Sequence, residues 1–295
     1  MSGKKRSHEG GKSGNQQQKK KYKVASGFID PGTSGIYATC SRRHEKQAIQ
    51  ELGLLFEEKM TELYSKELKE LNETEIDEDD EGIEKKKEEL SIEDQIKQEL
   101  ADIQSKDSKV NKDGSIIKRK DPLNFIDLNC ECVVFCKTRK PIVPEEFVSK
   151  IIKDLADPSS LEKRTRYVLK LTPITYSCNA TMDQFILLLK RILTPHFHEG
   201  ENATKKLKFA VDVTRRNFNT IERMDLITTV VKEVIQDGKY EHEVDLKNYD
   251  KLVLIECFKN NIGASVVDGS YTTKYRKFNV QQIYEQKFKD KDDKK

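Results

Sequence analysis

The chain has 295 residues, enough for one large or two modest domains, and pairs only 35% apolar residues with 36% charged ones. Ordinary globular chains run at about 45–50% and about 25%, so long polar segments must dilute a normal core. The formal charge of +3 hides a division: residues 70–107 hold 16 acidic and 5 basic side chains, a net of −11, which leaves +14 for the rest. A remainder of that charge attracts a polyanion, although an acidic protein or an anionic membrane surface would also suit it. With six cysteines, no secretory signal and no apolar run of about 20 residues, the expectation is a soluble, intracellular protein with reduced thiols.

Residues 1–23 are rich in Gly, Ser, Gln and Lys, with eight basic side chains against one Glu, and are expected to be disordered. Their clusters Lys4-Lys5-Arg6 and Lys19-Lys20-Lys21 fit nuclear import signals, extra phosphate contacts or a solubilising tail. A turn at Asp30-Pro31-Gly32 precedes a short strand over 36–40. Spacings of three and four among Ala48, Leu52, Leu55, Phe56, Met60 and Leu63 predict a helix over 42–68. An exposed acidic insertion follows over 69–120, with a short local helix within 90–100; it reads as a solvated spacer or a loop that repels other anions. A strand is expected over 129–136. Pro144 then opens a helix through Phe147, Ile151, Ile152 and Leu155, and a further strand is expected over 167–171. This is a small α+β pattern that fits a ferredoxin-like unit.

The second half is denser in structure. It predicts helices over 181–193 and 223–235, a strand over 208–213 and a hairpin of strands over 252–257 and 262–267. After about residue 278 the chain reads as a tail, a polar, lysine-rich helix or coil.

Few residues in this pattern invite catalysis. Cys130, Cys132 and Cys136 fall on one face of a continuous strand, without the second ligand pair that a structural zinc site needs. His196 and His198 follow Pro195 in a loop with nothing nearby to complete a site, and His44 reads as an RNA contact or ordinary surface. The sequence has no GxGxxG nucleotide or acyl-cofactor loop, no phosphate loop of the GxxxxGK type and no strand–Ser–helix elbow. Basic residues are better placed. Arg215, Arg216 and Asn217 end a strand, where the two guanidiniums are expected to project from one edge and grip phosphates through paired donors. Lys274 and Arg276 flank Tyr275 beyond the last strand, Arg139 and Lys140 end the cysteine strand, and Arg42 and Arg43 open the first helix. Cations with occasional aromatics suit loops and ends of folded RNA.

The segment Phe209-Ala-Val-Asp-Val-Thr-Arg-Arg-Asn217 resembles the basic strand end of THUMP domains in RNA-modifying proteins, and the match extends over about 166–277. The stretch from Asp245 to Glu256 is similar to a later segment of the same family, with Tyr249 where proline is often found. Gly27 through Glu45 resembles the N-terminal segment of the eukaryotic THUMP adaptors for transfer RNA cytidine acetylation. The resemblance implies a basic tail over 1–26, a ferredoxin-like region over 27–160 carrying the insertion, an α/β THUMP domain over 161–277 and a tail over 278–295. It implies a non-catalytic adaptor that holds serine and leucine tRNAs for N4-acetylcytidine formation in the D-arm. A separate RNA cytidine acetyltransferase would supply the acetyl-CoA and ATP chemistry, so no cofactor, metal, membrane or DNA is expected on this chain. The nucleus, or within it the nucleolus, is the expected location. Residue by residue, the contacts fall on Arg215, Arg216, Asn217, Lys274 and Arg276, with Arg42, Arg43, Arg139 and Lys140 added from charge and placement. An autonomous RNA-modifying enzyme and a protein scaffold remain the alternatives.

Overall fold

The computed structural model describes residues 22, 24–77, 109–110, 116–117, 121–160 and 162–292. The expected basic tail (apart from its last residues), the local helix within 90–100 and most of the acidic insertion lie outside the described residues.

The first half comprises β1 (Val24–Ser26), β2 (Ser34–Cys40), α1 (Glu45–Asp77), the two-stranded pair β3 (Lys109–Val110) and β4 (Ile116–Ile117), then β5 (Leu123–Asp127), β6 (Val133–Thr138), α2 (Pro144–Ala156) and β7 (Val168–Ile174). Helix α1 starts later and runs further than expected, and its backbone leaves helical geometry at Tyr64. Helix α2 starts at Pro144, whose missing N–H costs nothing in a first turn. It buries Phe147, Val148, Ile151, Ile152 and Leu155 at spacings of one, three and four. The sheet order is β1-β5-β6-β2-β7, with β1 parallel to β5 and the other pairs antiparallel. Strand β7 therefore joins this first sheet although it lies beyond the expected boundary at residue 160.

The second sheet follows in the order β10-β9-β11-β12-β8. Its elements are β8 (Tyr176–Asn179), α3 (Met182–Leu193), β9 (Lys208–Arg216), α4 (Arg223–Ile235), β10 (Glu243–Val244), β11 (Lys251–Phe258) and β12 (Asn261–Asp268). Strands β9 and β11 run parallel, with Phe258 opposite Arg216, and β11 and β12 form the expected hairpin. Helices α3 and α4 cover one face, burying Phe185, Leu189, Leu226, Val230 and Val234 over Phe209, Val213, Val253 and Ile255. The alternate residues Ala210, Leu252 and Leu254 point the other way and join the core of the first half, as strand periodicity requires.

Two sequence expectations need correction. The cysteine strand begins only at Val133; Cys130 and Cys132 sit in the preceding turn, Cys132 at φ +63°, while Cys136 is buried in the strand. The three thiols therefore share no face. The segment beyond 278, expected as a polar tail in helix or coil, is a helix, α6 (Val280–Asp292), that packs into the core, and it follows the single turn α5 (Ser270–Thr273). Val280, Ile283 and Tyr284 are buried in the first-half core, and Lys287 Nζ donates to the Leu155 carbonyl at 3.0 Å. The chain thus returns to its first half after completing the second. Contact between the halves is direct: Thr175 N donates to the Ala264 carbonyl at 3.0 Å and Ser265 Oγ to that of Pro173 at 2.8 Å. Gly263 permits this approach, since a Cβ there would lie 2.8 Å from Ile174.

Candidate RNA interface

An open cleft of about 720 Å³ lies where the far end of β9 meets the end of β2, and its wall combines Arg42, Cys130, Glu131, Arg215, Arg216 and Asn217. Residues distant in sequence thus supply three guanidiniums to one concavity, with one carboxylate in its wall and two more, Glu222 and Glu256, behind Arg215 and Arg216. Low-dielectric walls of one predominant sign concentrate the field there, which favours an anionic ligand.

The three arginines are held differently. Arg216 shares the parity of Ala210 and faces the first half, where its Nη1 lies 2.5 Å from Glu256 Oε2. The Glu256 side chain is only 4% exposed, so its charge must be paired. Burial pushes the Glu256 carboxyl up, opposed by Arg216 and Lys170. Arg215 has the opposite parity; its Nη1 donates to the Ile221 carbonyl at 3.2 Å and lies 3.7 Å from Glu222. The two guanidiniums therefore do not project from one edge as expected, although both line the cleft. Arg42 Nε meets Glu131 Oε2 at 3.1 Å with both side chains about two-thirds exposed, a weak contact that phosphate can displace. Asn217 and Arg43 adopt left-handed backbone, with φ of +51° and +64°.

Beside Arg42, the His44 ring stacks on Tyr167 at 4.3 Å, and Arg166 lies 5.5 Å from the Tyr167 centroid. The remaining expected residues fall elsewhere. Lys274 and Arg276 are exposed on the segment before α6, where the Lys274 ammonium lies 5.2 Å from the Tyr275 ring and Arg276 Nε donates to Gln286 Oε1 at 3.0 Å. The neighbouring Lys277 reaches back to Asp212 Oδ2 at 3.6 Å. Asp212 and Arg216 share a parity on β9, and both act with Glu256 and Lys277 on the half-buried Lys170, whose ammonium is pushed down chiefly by burial. Arg139 and Lys140 lie apart, because Thr138 pairs with Ser34 at the end of β2 opposite Arg42.

The sequence reading missed Lys170, Asp212 and Glu256. Glu256 carried a usable signal, a lone acid inside the apolar run Leu252–Cys257, since such a charge demands a partner. A second cleft, of about 320 Å³, opens near the start of β11 and includes Lys150, Lys153 and Lys251 with Glu145, Glu146 and Asp268. Its balanced signs give no preference for a polyanion. Among the described residues no group of three or more His, Cys, Asp or Glu is placed to hold a metal, and no helix is long and apolar enough to cross a membrane.

The fold and the cleft define an α+β protein whose C-terminal sheet carries the THUMP signature: residues 179–267 match the THUMP domain model. The chain is 63% identical over 285 residues to the Saccharomyces cerevisiae protein named tRNA acetyltransferase TAN1, covering 96% of each chain. It is 31% identical over 258 residues to an uncharacterized Schizosaccharomyces pombe protein, covering 88% of this chain and 78% of that one. THUMP domain-containing protein 1 of Mus musculus is 27% identical over 255 residues, which span 86% of this chain and 65% of the mouse protein. At this identity and coverage the chain belongs to the family of THUMP-domain proteins that includes yeast TAN1.

Proposed function

We propose that this chain is a tRNA-binding adaptor, which presents serine and leucine tRNAs to a separate RNA acetyltransferase for N4-acetylcytidine formation in the D-arm. The observation that carries the reading is the convergence of Arg42, Arg215 and Arg216 on one cleft, in a chain so similar to a protein named for tRNA acetylation. In this reading the arginines grip phosphates, with Asn217, Arg43, Lys274 and Arg276 extending the contact and Arg139 and Lys140 reaching a more distant part of the RNA. Phosphate contacts fix register and orientation. Catalysis by a second protein gains from a substrate already held in place. Assigning the chemistry to that partner rests on the sequence, which has no acyl-cofactor loop. The basic residues of 1–23 support a nuclear location, of which the nucleolus is the narrower form that the family resemblance implies.

The connectivity β2-α1-β5-β6-α2-β7, with sheet order β5-β6-β2-β7, supports a ferredoxin-like N-terminal unit. On this reading the unit runs through residue 174, which moves the expected boundary at 160/161 to the junction of β7 and β8. The THUMP unit then spans β8 to β12, and α6 belongs to the N-terminal unit.

The test is acetylation of a serine tRNA transcript with acetyl-CoA and ATP, using the acetyltransferase alone, this chain alone and both together. Product only in the combined reaction is expected. Product from this chain alone would make it an autonomous enzyme, and equal product without it would leave no adaptor role.

A further inference from the structure

We infer that Phe28, held beside the ammonium of Lys259, whose backbone bonds to Arg216 of the arginine cleft, is a stacking platform for an unpaired nucleobase of the bound RNA. The inference rests on the RNA-binding reading and adds to it a base contact where the arginines offer only phosphate contacts.

Phe28 is 78% exposed. Its backbone, however, is fastened on both sides. Gly27 N donates to the Asp127 carbonyl at 3.4 Å, tying the segment to β5. Ile29 is buried, and its carbonyl accepts from the buried Asn261 Nδ2 at 3.3 Å. The Asp30 carbonyl accepts from Ser177 Oγ at 3.3 Å, and Gly32 N donates to the Ser177 carbonyl at 2.7 Å. Both sheets therefore grip the chain around Phe28 while the ring stays in solvent. An exposed aromatic on anchored backbone loses little entropy on binding, unlike one on a free loop.

Lys259 links this ring to the cleft. It sits at φ +51° in the β11–β12 turn, and its N–H donates to the Arg216 carbonyl at 3.2 Å. Its Nζ donates to the Leu128 carbonyl at 3.2 Å and lies 5.6 Å from the Phe28 centroid and 5.1 Å from that of Phe258. Leu128 precedes the cleft wall at Cys130 and Glu131 by two residues. A cation, an open aromatic face and a guanidinium-lined groove thus lie together at one end of the second sheet. That combination suits a single-stranded nucleotide, whose base stacks while its phosphate meets the cations. An apolar protein surface would instead need a contiguous apolar patch, whereas the contacts leading from Phe28 toward the cleft run through Lys259 and Arg216.

The test compares equilibrium binding of a tRNA transcript and of a blunt, fully paired RNA duplex by the full chain and its Phe28→Ala and Phe28→Trp variants. Phe28→Ala is expected to weaken tRNA binding about tenfold, with Phe28→Trp retaining it. The salt dependence should keep its slope, because no phosphate contact is removed. The duplex should bind all three proteins equally. Equal tRNA binding by Phe28→Ala and wild type overturns the inference, as does an equal loss on duplex and tRNA. Unchanged RNA affinity with lost binding of the acetyltransferase would overturn it in favour of a protein contact. Absence of saturable tRNA binding by the wild type would instead defeat the RNA reading itself. Because the ring is exposed, the melting temperature of Phe28→Ala should match wild type.

Discussion

Strands β9 and β11 carry acid–base pairs at both ends, under different conditions. At their far end Arg216 meets a Glu256 side chain only 4% exposed; at their start Lys251 meets Asp268, 71% exposed, at 2.5 Å, and Lys208 meets Asp245 at 3.1 Å. Burial pushes the Glu256 carboxyl up, whereas the N–H groups of Asn248 and Lys247, with Lys208, pull that of Asp245 down to about 2. The buried pair fixes where a guanidinium sits, and the surface pairs merely balance charge. The clefts differ in the same way: each has three permanent cations, but the arginine cleft has one acid and the lysine cleft three. On the proposed reading, sign balance and anchoring, more than the number of basic residues, set the arginine cleft apart from ordinary surface.

That comparison can be broken at either end. The segment after β12 is held by apolar burial: Tyr271 is 1% exposed and packs edge-on against Phe278 at 4.6 Å. Tyr271→Ala should therefore have the largest effect, lowering stability by about 3–4 kcal/mol in urea unfolding. Arg216→Ala should cost about 2 kcal/mol, less than the 3–5 for fully buried pairs, because Lys170 remains beside Glu256. A combined Arg216→Met and Glu256→Met variant should recover most of that stability while losing affinity for tRNA, which separates the structural role of Arg216 from its binding role. The smallest effect belongs to Asp245. Since its folded pKa is below the ordinary 3.8, its contribution is present above that value and fades as pH falls toward about 2. Asp245→Asn should flatten the acid limb of a stability–pH curve, and an unchanged limb would show that the capping contacts contribute nothing.

Much of the second sheet was legible in local pattern. The helix over 223–235 was read residue for residue, and the strand from Lys208 was placed correctly at its start, because apolar periodicity there is undiluted. Strand β5 escaped notice: Leu123–Asp127 is five residues long beside a charged run, too short for alternation to stand out. Helix α6 is legible as helix or coil, but its packing is not: Val280, Ile283 and Tyr284 recur at helical spacing, diluted among Gln and Lys. The strand end at Arg215 and Arg216 could be read, but its meeting with Arg42 could not. That convergence depends on how two sheets pack, and local periodicity carries no such information. The pairing of Arg216 with Glu256 was hidden for the same reason, as it crosses between two parallel strands.

The central claim, that the arginine cleft binds tRNA, is tested most directly by charge reversal at both clefts, with tRNA affinity measured across a salt series. Arg42→Glu with Arg215→Glu should weaken binding at least tenfold and reduce the slope of log affinity against log salt, whereas Lys150→Glu with Lys153→Glu should change both only slightly. If the lysine-cleft variant loses affinity while the arginine-cleft variant binds like wild type, the RNA interface lies elsewhere and the account is wrong.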